Sequence, residues 1–284
     1  MSNEQEKDVS VIKRTPDDIN ELNDLREKII NLSQETKESI KRNIISCKEF
    51  NDSTSVDLLY MRKPKTSNLL DVVEKHKFIV LLGDAGEGKS IFLKSTAYEI
   101  MSNHDLGNNY LALYYSLNMY SDEDIQILLE KEYGDFSKFK DLKLLFLFDE
   151  FDQVQNKALL IKKMQSFREK FCDSLFCIAS RSNAYSNNFN NAELVQLLPF
   201  SLYNIERIAK GKLPLKYNAF LQDAKLLNYM EFIKNPFNLN IIIDYYKINN
   251  YIPKNKAEII DKVIKNSINE KLNELEDDIL FKET

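Results

Sequence analysis

The sequence predicts an α/β protein: a three-layer sandwich on a mostly parallel five-stranded sheet, followed by a small C-terminal helical subdomain. Three observations lead there. Five short apolar runs, at residues 77–82, 110–117, 144–148, 175–180 and 193–197, are continuous rather than alternating, as in strands buried on both faces. Helix-compatible stretches at 90–101, 121–131 and 157–171 lie between them, and strand–helix alternation implies parallel strands joined by crossover helices. After Pro199 the strand pattern stops, and residues 203–210, 218–233, 236–246 and 256–280 read as helices punctuated by Gly211 and Pro253.

These patterns divide the chain into an N-terminal helical arm (1–52), an α/β domain (53–198) and a helical, lid-like subdomain (199–284). The arm has a helix start at Thr15-Pro16-Asp17-Asp18, with Thr15 as cap and Pro16 at the first helical position. Ile19, Leu22, Leu25, Ile29 and Leu32 then recur at helical spacing. Such a stripe either packs on the body of the protein or engages a partner or a second copy.

Composition narrows the class. Hydrophobic residues are 43% and charged residues 29% of 284, ordinary for a globular chain, and six Gly with six Pro leave little room for flexible linkers. The net charge of -5 gives no overall attraction to nucleic acid. Cys47, Cys172 and Cys177 have no metal-binding spacing, and with two histidines in the chain a zinc site is not expected; reduced thiols in a cytoplasmic protein are. Residues 1–8 are polar and charged, unlike a signal peptide, and the apolar runs are far too short to span a membrane.

The most specific motif is Gly83-Asp84-Ala85-Gly86-Glu87-Gly88-Lys89-Ser90, which fits G-x-x-x-x-G-K-[ST]. Glycines let successive backbone N–H groups turn inward around phosphate oxygens. Lys89 supplies positive charge for β- and γ-phosphates, Ser90 a hydroxyl for Mg²⁺, and the helix beginning there, with Ile91 in its first turn, its positive dipole end. The loop directly follows the apolar run Phe78-Ile79-Val80-Leu81-Leu82, so strand, glycine loop and helix come in the order the motif requires.

A second run, Leu144-Leu145-Phe146-Leu147-Phe148, ends in Asp149-Glu150-Phe151-Asp152. Asp149 would stand at the carboxyl end of its strand and hold Mg²⁺ through water. Glu150 and Asp152 are both candidates to orient or deprotonate an attacking water. A third run ends in Ala179-Ser180-Arg181, which places Arg181 to neutralise charge developing on a γ-phosphate.

Taken in order, these pieces resemble a NACHT domain, a branch of the STAND class of regulatory P-loop ATPases, over roughly residues 53–272. The resemblance is carried by Val56-Asp57-Leu58-Leu59-Tyr60 ahead of the loop, Leu82 to Ser90, Leu147 to Asp152, Ala179-Ser180-Arg181, Leu198-Pro199-Phe200-Ser201 with Asn204-Ile205, and Asn235-Pro236-Phe237-Asn238-Leu239. It implies that Pro236 abuts the base or sugar. Two departures stand out. Glu150 occupies a position that is usually small, and Gln153 follows Asp152 where a second acid is usual. The Asp149-Glu150 pair is more similar to general AAA+ ATPases, in which that Glu is the base.

The expected ligands are ATP or ADP with Mg²⁺; adenine over guanine rests on the resemblance. The expected function is a nucleotide-dependent signalling switch with slow ATPase activity, in innate immunity or phage defence by the same resemblance. Self-association, or a partner protein, would engage the arm or the helical subdomain. Two alternatives remain open: an AAA+-like DNA-associated ATPase, and an interaction module that nucleotide stabilises without significant hydrolysis.

Overall fold

The computed structural model describes residues 14–33, 42, 44–47 and 68–259. The chain divides into two compact units: Met1–Asp84 with Lys89–Leu198, and Ala85–Gly88 with Pro199–Thr284.

In the first unit the apolar runs form the predicted parallel strands: β2 (Phe78–Leu82), β3 (Tyr110–Ser116), β4 (Lys143–Asp149), β5 (Leu175–Ser180) and β6 (Glu193–Leu197). Every residue of β2 and β5 is buried, as continuous apolar runs require. The sheet has a sixth strand, β1 (Ile44–Ser46), and its order is β1-β6-β2-β5-β4-β3. Only β1 runs antiparallel, against β6, with Ile44 opposite Leu197 and Ser46 opposite Val195. The stretch read as a helical arm therefore also supplies an edge strand. Parallel register places Leu82 beside Ser180 and Ser116 beside Asp149, gathering the strand ends that carry the motifs at one edge of the sheet.

Helices cover the sheet: α1 (Pro16–Leu32), α2 (Leu69–His76), α3 (Lys89–Ser102), the short α4 (His104–Gly107), α5 (Ile125–Tyr133) and α6 (Lys157–Lys170). Helix α2 is not among the helices predicted from the sequence. It is eight residues long, capped by Asn68, and Lys77 at φ 63° turns the chain straight into β2. Phe146 centres an aromatic core, with ring centroids of Phe167, Phe176, Phe171 and Phe136 at 4.9, 5.1, 5.6 and 5.8 Å.

Helix α1 packs on α3 and β3. Leu22, Leu25 and Ile29 are buried, whereas Ile19 and Leu32 are about half exposed. Arg26 donates to the Gly107 carbonyl, Lys28 to that of Glu132, and Arg14 pairs with Asp141. Surface pairs contribute at most about 1 kcal/mol each. The three buried side chains, at about 1.5–3 kcal/mol apiece, do most to hold the helix.

The second unit contains α7 (Leu202–Lys212), α8 (Tyr217–Leu226) and α9 (Pro236–Asn249) around Ile205, Phe220, Tyr229, Leu239 and Ile242. Ser201 and Asn204 form a reciprocal capping box at α7. The single helix predicted over 218–233 is interrupted. Asn228 adopts φ 57° after α8, and a short 3₁₀ turn, Phe232–Lys234, follows. Segment 56–60 and residues 260–280 of the last predicted helix lie outside the described residues. Among the described residues, no helix is long and apolar enough to cross a membrane.

Candidate functional site

Beyond β2 the chain turns through Gly83 to Gly88 and enters α3 at Lys89. Gly86 and Gly88 adopt φ 76° and 80°, a region closed to most side chains, so their conformation accounts for these glycines. Lys89 arches back over the loop and donates from Nζ to the carbonyls of Gly83 (2.6 Å) and Asp84 (3.1 Å). Gly83 is buried, Asp84 and Ala85 are exposed, Glu87 and Ser90 are intermediate, and Ile91 faces outward from the first turn of α3.

Fifty-nine residues after Ser90, Asp149 closes β4 with only 1% of its surface exposed. The structure brings the two together: the Ser90 side chain adjoins the Asp149 carboxylate and acts to lower its pKa. Asp149 Oδ2 also accepts from the Tyr114 hydroxyl at 3.1 Å, and Oδ1 from the Glu150 backbone N–H at 2.8 Å. Burial raises the pKa of this carboxyl, and Ser90, with the hydrogen bonds from Glu150 and Tyr114, only partly opposes it.

A hydroxyl and a buried carboxylate side by side are the hard oxygen donors that suit Mg²⁺, an ion held by one or two protein oxygens together with substrate phosphates. No cluster of three or more His, Cys, Asp or Glu able to hold a metal exists among the described residues.

The chain leaves β4 through Glu150, which sits at φ 60°, ψ 33°, a left-handed conformation unusual outside glycine and asparagine. This turn sends the two remaining acids different ways. Glu150 Oε2 accepts from the Ser116 hydroxyl and Oε1 from Gln153 Nε2 at 2.9 Å. Asp152, in the 3₁₀ turn Phe151–Gln153, pairs instead with Arg181 at the end of β5. Phe151 anchors that turn, fully buried against Phe189, with ring centroids 5.2 Å apart. Arg181 remains half exposed.

In the second unit, Asn235 caps α9 by accepting from the N–H groups of Phe237 and Asn238, with Pro236 buried at the first helical position. The loop tip Ala85–Gly88 clusters with this unit. Asn235 Nδ2 donates to the Ala85 carbonyl (3.3 Å) and the Phe237 N–H to that of Gly86 (3.3 Å). A Cβ at Gly86 would lie 2.9 Å from Phe237 Cβ, closer than carbon atoms approach, so this contact as well as φ demands glycine.

Sequence reasoning missed Tyr114 and Ser116, whose hydroxyls bond Asp149 and Glu150; it named Asn235 and Phe237 in the resemblance, but not their bonds to the loop tip. Hydroxyl side chains at the carboxyl end of an apolar strand were the available signal for the first two.

The sequence matches no protein-family model, and no curated protein is similar to it. Among solved structures the chain is similar to C. elegans PCH-2, at 12% identity and TM-score 0.38 over 70% of this chain and 48% of that one. It is similar to AMPPCP-bound DnaA from Aquifex aeolicus, at 15% identity and TM-score 0.38 over 70% and 65%. It is also similar to a point variant of Thermotoga maritima RuvB, at 14% identity and TM-score 0.40 over 76% and 70%. The chain thus spans about half the length of the nematode protein. The α/β sandwich stands on the chain's own sheet order, β1-β6-β2-β5-β4-β3, with the glycine loop between β2 and α3.

Proposed function

We propose that this protein is an ATP-binding regulatory NTPase of NACHT/STAND type, a switch whose state follows the bound nucleotide and whose hydrolysis is slow. The observation that carries this reading is the meeting of Ser90 with the buried Asp149 beside a loop whose glycines adopt positive φ. The backbone N–H groups of Gly86 to Ser90 would cradle the phosphates, and Lys89 would exchange its loop carbonyls for β- and γ-phosphate oxygens. Mg²⁺, when bound with ATP, supplies charge neutralisation at the phosphates. Glu150, steadied by Ser116 and Gln153, is the favoured residue to orient and deprotonate water. Asp152 holds Arg181, whose guanidinium counters charge on the γ-phosphate. Pro236 would bound the base or sugar. The output, self-association or recruitment of a partner in defence signalling, follows the resemblance to that class.

The test is to denature purified protein and identify released nucleotide by chromatography, with Lys89→Ala alongside. Near-stoichiometric ADP from the parent and none from the variant supports a switch resting in its off state. No Mg-ATP binding by the parent, even when added in excess, sinks the proposal. Light scattering should then show a larger species with a non-hydrolysable ATP analogue than with ADP.

The Asp149-Glu150 pair, with Glu150 held by Ser116, favours a second reading as an AAA+-like DNA-associated ATPase. Turnover unchanged by single- or double-stranded DNA removes it.

A further inference from the structure

Tyr114 stands third from the end of β3, its backbone beside Leu147 of β4, while Ser116 stands beside Asp149. Side chains two apart share a sheet face, and here the longer one leans along the strand to reach Asp149. The Tyr114 ring lies beneath the ammonium of Lys94 from α3, 5.4 Å from its centroid. The Tyr114 carbonyl accepts from the hydroxyl of Tyr133 on α5. The Lys94 contact holds the ring, and the Tyr114 hydroxyl donates to Asp149 Oδ2, 3.1 Å away. Packing alone does not require that hydroxyl. The neighbouring strand fills its part of the core with Leu145, Phe146, Leu147 and Phe148, and Phe at position 114 would occupy the same space.

We infer that Tyr114 is a positioning residue for metal binding: its hydroxyl fixes the Asp149 carboxylate so that the oxygen lone pairs left free are presented beside Ser90. The inference rests on the nucleotide-binding reading above and adds to it a residue outside every motif. Asp149 has two oxygens, and three groups meet them: the Glu150 N–H donates to Oδ1, the Tyr114 hydroxyl donates to Oδ2, and the Ser90 side chain adjoins the carboxylate. Of these only Ser90 would itself hold the ion. The Glu150 N–H belongs to the backbone, so Tyr114 is the one side chain of the three that acts on the metal purely through Asp149.

The test is equilibrium binding of fluorescent ADP and ATP analogues to the full chain, in EDTA and across a Mg²⁺ titration. The proteins are the parent, Tyr114→Phe, Tyr133→Phe, Asp149→Asn and the double variant Tyr114→Phe/Asp149→Asn. Tyr114→Phe is expected to raise the Mg²⁺ concentration at half effect about tenfold, as loss of a residue orienting a metal ligand does, with nucleotide affinity in EDTA unchanged. Tyr133→Phe, which removes a hydroxyl bonded to the β3 backbone rather than to Asp149, should move neither. In the Asp149→Asn background, Tyr114→Phe should add nothing. The same titration read by thermal shift follows only folded protein, so a loss of fold is not mistaken for a loss of metal. An unchanged Mg²⁺ midpoint in Tyr114→Phe overturns the inference, as does an equal loss in EDTA or a further loss on top of Asp149→Asn. A parent whose nucleotide binding ignores Mg²⁺ overturns the functional reading first. A responsive parent with an unresponsive Tyr114→Phe overturns the inference alone.

Discussion

Arg181 and Asp152 are joined twice, the guanidinium Nε lying 3.0 Å from Oδ2 and the Arg181 backbone N–H donating to Oδ1 over 3.1 Å. The carboxylate is nearly buried while the guanidinium is half exposed, so Asp152 holds and Arg181 reaches outward. Asp152→Ala and Arg181→Ala should therefore slow hydrolysis alike, by about a hundredfold for a lost charge-stabilising donor. The double variant should be no slower than either. Single-turnover rates check this, and additive losses would mean that the two residues act separately.

Glu150 has other partners, accepting from Ser116 and Gln153. Glu150→Gln is expected to lower the hydrolysis rate by about 10²–10⁴ while retaining ATP affinity, the signature of a lost general base. Trapped, unhydrolysed ATP in the variant is the readout. A variant that turns over as the parent does would shift the role elsewhere.

Asp149 couples function to stability. Burial raises its pKa, so the folded protein holds that proton more tightly than the unfolded chain. Its contribution is favourable below the ordinary carboxylate pKa of about 3.9 and is lost as pH rises through the raised value. In EDTA without nucleotide, Asp149→Asn should melt above the parent at neutral pH, and the gap should close on acidification. The same variant should lose Mg²⁺-dependent stabilisation by ATP. A parent that melts higher at neutral pH contradicts the assignment.

The cysteines should separate under a thiol-alkylating reagent at pH 8. Cys172 is exposed and reacts first. Cys47 is half-buried, and burial, with Glu193 nearby, pushes its thiol up to about 11, so it follows slowly. Cys177, fully buried in β5 and raised further by burial, should react only on unfolding. Peptide mass spectrometry over time gives the order, and early labelling of Cys177 would mean that β5 opens readily.

How much of this was legible in the sequence depended on range. The five parallel strands fell within a residue or so of their predicted bounds, because a strand buried on both faces must be apolar throughout. The phosphate loop was legible for the same local reason: its glycines, Lys89 and Ser90 are consecutive. Strand β1 was not, since three residues carry no period, and β1 exists through its pairing with β6. The break in the 218–233 helix turned on Asn228, whose left-handed conformation ends α8 where apolar spacing alone would continue it. The partners of Asp149 and Glu150 were hidden because Tyr114 and Ser116 reach them only through the β3–β4 register. The Asp152–Arg181 pair likewise bridges 29 residues of sequence. The acids could be named from the chain, but their division of labour depends on contacts across the sheet.

The three-residue β1 bears on how the protein can be handled. It occupies the outer hydrogen-bonding edge of β6, and the Ser46 hydroxyl donates to Glu193 Oε1 at 2.7 Å. A truncated protein starting at residue 68 would leave that row of amide and carbonyl groups unsatisfied, a template for sheet extension between molecules. Such a truncation would multimerise with rising concentration whatever nucleotide it held, a multimer unrelated to switching.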